Sequence, residues 1–223
     1  MEYVLIARRA QLGHTGYFAR PLIELWGEGK LIIEGLLGAF SQYGASFSDI
    51  RVESASLNPA DQVVGVTIGL NGIHRFRYDR IESTFSNFSD EFLARIPGII
   101  DSSTSWIRQA VPTMNFSAHH FVYWAHANVS NSVGSHVLKE IGPKAPTAGG
   151  NDRGSGVIFH WDVPERQWTT QLMIDRSLAL EDGLFVMFTL RVASDAIDYD
   201  AVAKDGKDYL ETVLRELRLR FVQ

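Results

Sequence analysis

The sequence predicts an α+β protein, with antiparallel β-sheet packed against helices and a long helix at the C-terminal end. Three observations lead there. Short runs of strand-forming residues alternate with turn signals, the clearest being Asn71-Gly72, the preferred pair of a two-residue hairpin turn. The stretch Tyr199 to Phe221 carries apolar residues at helical spacing. The regular strand–helix alternation of a doubly wound parallel sheet is missing.

Taken in order, Glu2 to Arg8 reads as a strand, because Tyr3-Val4-Leu5-Ile6 are strand formers. Ala10 to Pro21, with Gly13 and Gly16, reads as loop. Glu28 to Tyr43 reads as a helix with Leu31, Ile32, Leu36, Leu37 and Phe40 on its apolar side, and Gly44 stands where a left-handed cap belongs. Phe47 to Leu57 alternates loosely before the turn at Asn58-Pro59. Val63 to Leu70 and Ile73 to Arg80 form the hairpin about Asn71-Gly72, with Leu70 opposite Ile73, Thr67 opposite Phe76 and Gly65 opposite Tyr78. Ile73 then joins Val64, Val66 and Ile68 on one face. A helix capped by Ser89 or Asp90 is broken near Pro97-Gly98, and a second helical piece ends near Pro112.

The second half of the chain is more regular. Phe116 to Val129 is a long strand with Phe121, Tyr123, Ala125, Ala127 and Val129 on one face. Ser130 to Gly156 is mostly loop around a short helix near His136 to Ile141. Gly156 to Val163 and Arg166 to Asp175 pair about Pro164-Glu165, with Trp161 opposite Trp168. Leu184 to Val192 is apolar at nearly every position and reads as a central strand. The closing helix, Tyr199 to Phe221, places Lys207, Glu211 and Arg215 on its outer side. The chain thus reads as one compact domain, 1–223, of two similar halves, 1–111 and 112–223, each running strands first and a helix last.

Composition narrows the function. The 223 residues carry 21 basic and 26 acidic groups, a net charge of −5, with −2 in residues 1–111 and −3 in residues 112–223. Nucleic-acid binders usually show a basic excess, so this balance argues against that class. One local exception is His74-Arg75-Phe76-Arg77-Tyr78-Asp79-Arg80, where basic and aromatic side chains interleave; an amphipathic strand with solvated or paired arginines is the plainer reading. No apolar run reaches the roughly 18 to 20 residues needed to cross a bilayer. With no signal-like start and no cysteine, the expected location is the cytoplasm, and disulfides, thiolate zinc sites and a cysteine nucleophile are excluded.

Five of the seven histidines, His119, His120, His126, His136 and His160, lie in one stretch. Strand geometry argues against a metal site. His119 and His120 point to opposite faces, and His120 and His126 share a face about 20 Å apart along an extended strand. No His-Glu-x-x-His motif is present, and no cofactor is expected. The glycine-rich run Thr147 to Gly156 leads into a strand and carries no Gly-Lys-Ser/Thr, so a surface loop is favoured over a phosphate cradle. Ser155 lacks a nucleophile elbow, and Ser135 beside His136 is no triad.

No catalytic motif survives these spacing tests. The expected function is therefore a non-catalytic binding module, taking a small apolar molecule in a sheet–helix cavity or a protein partner along an exposed face. Its strand-rich body and closing helix are similar in outline to helix-grip, START-like lipid-binding domains, a likeness of architecture that no motif carries. The candidate ligand-binding residues are His120, Trp124, His126, His160, Asp162 and Arg176. The alternative is an enzyme whose polar cleft draws on His120, His126, His160, Asp162 and Arg176. A homodimer is a further expectation, because an antiparallel sheet must cover its edges.

Overall fold

The first strand, β1 (Tyr3–Phe18), is twice as long as the sequence suggests. The expected loop Ala10 to Pro21 is strand as far as Phe18, with Leu12, His14, Gly16 and Phe18 turned inward. Gly16 marks a close approach and not a turn: a Cβ there would lie 2.7 Å from the Phe116 ring. The protein was analysed as a computed structural model, which describes residues 2–26, 29–54, 58–69, 72–86, 90–143 and 154–222.

Two helices follow, α1 (Ile23–Trp26) and α2 (Gly29–Phe40). A single 3-10 turn after α2 ends at Gly44, whose φ of 83° is the left-handed cap the sequence predicts. Next come β2 (Ile50–Ser54), β3 (Val63–Ile68), β4 (Gly72–Phe76) and β5 (Arg80–Phe85). The β3–β4 hairpin exists, but its register differs by three residues from the expected one. Thr67 stands opposite Ile73, Gly65 opposite Arg75 and Val64 opposite Phe76. Leu70 and Asn71 lie outside the described residues. An odd shift turns the second strand over, so His74 and Phe76 are buried and Ile73 is exposed. The expected strand to Arg80 instead ends at Phe76. A turn at Arg77–Asp79, closed by Arg77 N–H to the Arg80 carbonyl at 2.9 Å, starts β5.

The next helices are α3 (Asp90–Leu93) and α4 (Ile96–Ala110). Pro97 sits in the first turn of α4, where its missing N–H costs nothing, so it starts a helix and does not kink one. Strand β6 (Phe116–Val129) and helix α5 (Gly134–Ile141) match their sequence reading. Strands β7 (Val157–Val163) and β8 (Trp168–Arg176) pair as a hairpin. A 3-10 turn, Pro164–Arg166, with Gln167 at φ 54°, lengthens the connection. Trp161 therefore faces Thr170, and Val163 faces Trp168. This register is two residues from the expected one, so the two faces keep their composition.

Strand β9 (Leu184–Val192) and helix α6 (Tyr199–Glu216) follow. The helix stops five residues short of its expected end. Arg218 takes a left-handed φ of 59°, and β10 (Leu219–Val222) pairs in parallel with β1, Tyr3 opposite Leu219. The alternation Leu217-Arg218-Leu219-Arg220-Phe221 has strand period, which the helix reading overlooked. Lys207 also departs from expectation. It is buried, with its ammonium 4.0 Å from the Glu211 carboxylate.

The described strands form a ten-stranded, mainly antiparallel sheet in the order β2-β3-β4-β5-β1-β6-β9-β8-β7, with β10 on β1. The α+β class is as the sequence predicts. By contacts the chain divides into two units: Met1–Gln11, Val122–Leu190 and Lys204–Gln223 form the first, and Leu12–Phe121 with Arg191–Ala203 the second.

In the first unit, α6 lies over Trp161, Trp168 and Phe188 through Tyr209, whose hydroxyl accepts a 2.9 Å hydrogen bond from Trp161 Nε1. Gly206 lets that helix approach closely, since a Cβ there would meet Leu190 at 2.6 Å and the Tyr123 hydroxyl at 2.7 Å. In the second unit, α2 packs on α4 through Gly35, where a Cβ would overlap the indole of Trp106. Gly38, one turn on, has open space around it. Gly35→Ala should therefore destabilise the fold by roughly 1–3 kcal/mol through overpacking. Gly38→Ala should stabilise it by about 0.5–1 kcal/mol through helix propensity. Urea-unfolding midpoints of the two variants check both signs.

Candidate functional site

Period-two alternation gives every strand of the first unit an inner and an outer face. The inner residues of β7, β8 and β9, such as Val157, Trp168, Leu172 and Phe188, are covered by α5 and α6. The outer residues are half-exposed and largely apolar: Val4 and Ile6 on β1, Val122 and Trp124 on β6, Met173 on β8, Phe185 and Met187 on β9. Three rings gather there, with His126 4.9 Å from Phe185 and 5.6 Å from Trp124, and Trp124 6.2 Å from Phe185. On β7, Ile158 stands opposite Met173 and is 55% exposed.

Four of the sequence-derived candidates, Trp124, His126, His160 and Asp162, share this outer face. His160 lies opposite Gln171 and Asp162 opposite Thr169. Both are exposed, and neither has a hydrogen-bond or ion-pair partner among the described residues. His126 is tied down: its Nδ1 lies 2.9 Å from Ser177 Oγ. That oxygen also accepts the amide N–H groups of Ala179 and Leu180 at 3.1 and 2.9 Å. With two amides on that oxygen, the hydroxyl has its own proton left to donate to His126. Burial, then Arg9, holds the His126 imidazole below its usual range.

The remaining two candidates are Arg176 and His120. Arg176 is exposed at the end of β8, where Ser135, Ser177, Leu178, Glu181 and Asp182 help line an open cavity of about 650 Å³. His120 belongs to the second unit, half-buried with its ring 5.0 Å from Tyr17; burial, then Arg191, lowers its pKa. The basic–aromatic run 74–80 is neutralised locally. Arg75 pairs with Glu53 at 2.8 Å, Arg77 with Glu82 at 3.1 Å, and Arg80 with Glu82 at 2.6 Å and Asp79 at 2.8 Å. Of the glycine-rich run, residues 147–153 lie outside the described residues.

The two ends of the sheet order are unlike. β2 has five residues, charges at Arg51 and Glu53, and a bulge between Val52 and Ser54. Short length, charge and bulges are the devices that keep an edge from pairing with another chain. β7 has seven residues and a regular register. Between Gly154 and Val163 the single charge is Asp162, and no lysine, arginine or proline occurs. Ile158, Phe159 and His160 are exposed in succession.

The second unit holds a feature the sequence reading missed. Ser83 on β5 is the cross-strand neighbour of both His74 on β4 and His14 on β1. His74 Nδ1 lies 2.8 Å from Ser83 Oγ, and His14 Nε2 lies 3.2 Å from His119 Nδ1. All four side chains are buried, with Tyr199 edge-on to both His14 and His119 and Phe40 against His74. Each neutral imidazole carries one N–H, and His14 Nδ1 and His119 Nε2 have no partner. Whichever ring donates across the pair, one N–H is left unsatisfied. The signal was available in the spacing Leu12, His14, Gly16, Phe18, once the glycines are read as strand residues.

Among the described residues no group of three or more histidines and carboxylates is arranged to hold a metal ion, and no helix is long and apolar enough to cross a membrane. Compared with known proteins, the chain matches no family model and no curated sequence.

Burial pushes His74 down to about 3 and His119, against the pull of Asp195, to about 4; it also drives His14 well below its usual range, helped by His119. The unfolded chain therefore binds protons that the folded chain refuses. Stability from this source is whole above about pH 6.5 and falls as the pH drops toward 4 and 3. Between neutral pH and pH 5, His74 and His119 should each cost about 2 kcal/mol. Urea unfolding at the two pH values checks this, and His74→Leu should reduce the acid loss by about that amount.

Proposed function

We propose that the protein is a non-catalytic binding module whose first unit receives another protein chain along β7 and the outer face beside it. The observation that carries this reading is the contrast, among the described residues, between β2, which is short, bulged and twice charged, and β7, which is longer, regular in register and carries the single charge Asp162. A strand edge offers a row of N–H and C=O groups, and a chain that pairs with it gains main-chain hydrogen bonds together with contacts to alternate side chains. Ile158 and Met173, with the Trp124–His126–Phe185 rings on the same face, give such a chain an apolar surface on which to lie.

The other readings have less support. Trp161, Trp168, Phe188 and Tyr209 pack against one another between sheet and helix in the first unit, where a small apolar ligand was expected. An enzyme would need titratable groups within hydrogen-bond reach in a cleft. His160 and Asp162 are exposed, and Ser177 is engaged by backbone amides. A cytoplasmic setting, inferred from a chain without cysteine, suits a binding role that relies on no disulfide.

Site-directed photo-cross-linking in cells tests the proposal. The substitution Ile158→p-benzoylphenylalanine should give a protein adduct on irradiation, and Val52→p-benzoylphenylalanine, at the protected edge, should not. Peptide mapping of the adduct should find an extended segment joined at residue 158. Equal yields at the two positions, or no protein adduct at 158, would overturn the reading.

A further inference from the structure

Resting on that reading, we propose that the chain received at β7 is a second copy of this protein, paired strand to strand and antiparallel about a twofold axis at Trp161. The argument is self-complementarity. In this register His160 stands opposite the partner's Asp162, and Asp162 opposite the partner's His160, on the outer face where both side chains are exposed and unpaired. An imidazole can donate a hydrogen bond to a carboxylate whether neutral or protonated. On the inner face Phe159, which is 37% exposed, stands opposite the partner's Val163, and Trp161 meets its own symmetry mate. Pro164 falls opposite the partner's Ile158, and its missing N–H ends the ladder there.

Neighbouring registers are worse. Sliding by two residues one way sets His160 against its own mate and Asp162 against the partner's Ile158. Sliding the other way sets Asp162 against its own mate, and like charges directly opposite disfavour pairing. Only the register centred on Trp161 brings the two exposed polar groups of β7 together as unlike pairs. A twofold contact uses the same patch on both copies. Among the described strands it also covers an end of the sheet order that has no lysine, arginine or bulge.

Sedimentation analysis of the full chain over a concentration series tests the proposal. The native chain should dimerise. His160→Asp replaces two unlike pairs by two like-charged ones and should weaken the dimer roughly tenfold. The doubly exchanged variant H160D/D162H sets the same two groups opposite each other in reverse and should restore the native constant. Both positions are exposed, so these changes leave the fold intact, and far-ultraviolet circular dichroism confirms it. Hydrogen exchange should slow as dimer forms at those amides of residues 159–163 that face away from β8. A native monomer, a dimer indifferent to His160→Asp, or an exchanged variant that fails to recover would each overturn self-pairing. If the chain is monomeric while Ile158→p-benzoylphenylalanine captures a different protein, self-pairing fails and the binding-module reading stands. If no adduct forms either, both fail.

Discussion

A β-sheet has two faces, and in this chain the helices serve only one of them in the first unit. Tyr209 on α6 closes over Trp161, Trp168 and Phe188, and every second residue of β8 from Trp168 to Ile174 and of β9 is buried, with Val157 on β7. Period-two geometry then forces the intervening residues outward, whatever their chemistry. Met173, Phe185, Met187 and Trp124 sit half-exposed as a result, while His160 and Asp162 are exposed. A polar outer face would make this arrangement unremarkable for an antiparallel sheet. The outer face of this one is instead largely apolar on β1, β6, β8 and β9.

The second unit meets the same constraint with a different cost. Its inner face carries His74, Ser83, His14 and His119 where aliphatic side chains would fit. Burial keeps these imidazoles neutral, and neutrality lets them act as weak hydrogen-bonding core residues, tilted against Phe40 and Phe121 and edge-on to Tyr199. One unsatisfied ring N–H in such a place costs about 1–3 kcal/mol. The fold tolerates that because the surrounding rings, Phe116 and Tyr199 among them, supply contact on the remaining sides of His119.

Much of the architecture was legible because strand and helix periods are strong signals over long runs. β6 and β9 were bounded to the residue, and the faces of β7 and β8 survived a register error because the shift was even. The failures share a cause: local signals were given more weight than tertiary contact. Gly13 and Gly16 were read as loop, although Gly16 is small because Phe116 lies on it. Asn71-Gly72 was read as a two-residue turn, although the pairing of Thr67 with Ile73 makes the connection longer. Four of six candidate residues did fall on one face, because alternation along β6 and β7 is readable. That β7 is an edge was not readable, since strand order depends on pairings far apart in sequence.

The pairing of Tyr3 with Leu219 bears on how the chain folds. The first unit is assembled from three separate segments, and residues 3–6 find their parallel neighbour more than two hundred residues later. Contacts of such long range carry a large loop-closure entropy and slow the search for the native state. During synthesis β6 is available to β1 early, but the other side of Tyr3–Ile6 lacks its native neighbour until Leu219–Val222 emerges. While the intervening residues are made, that open side is available to other strands.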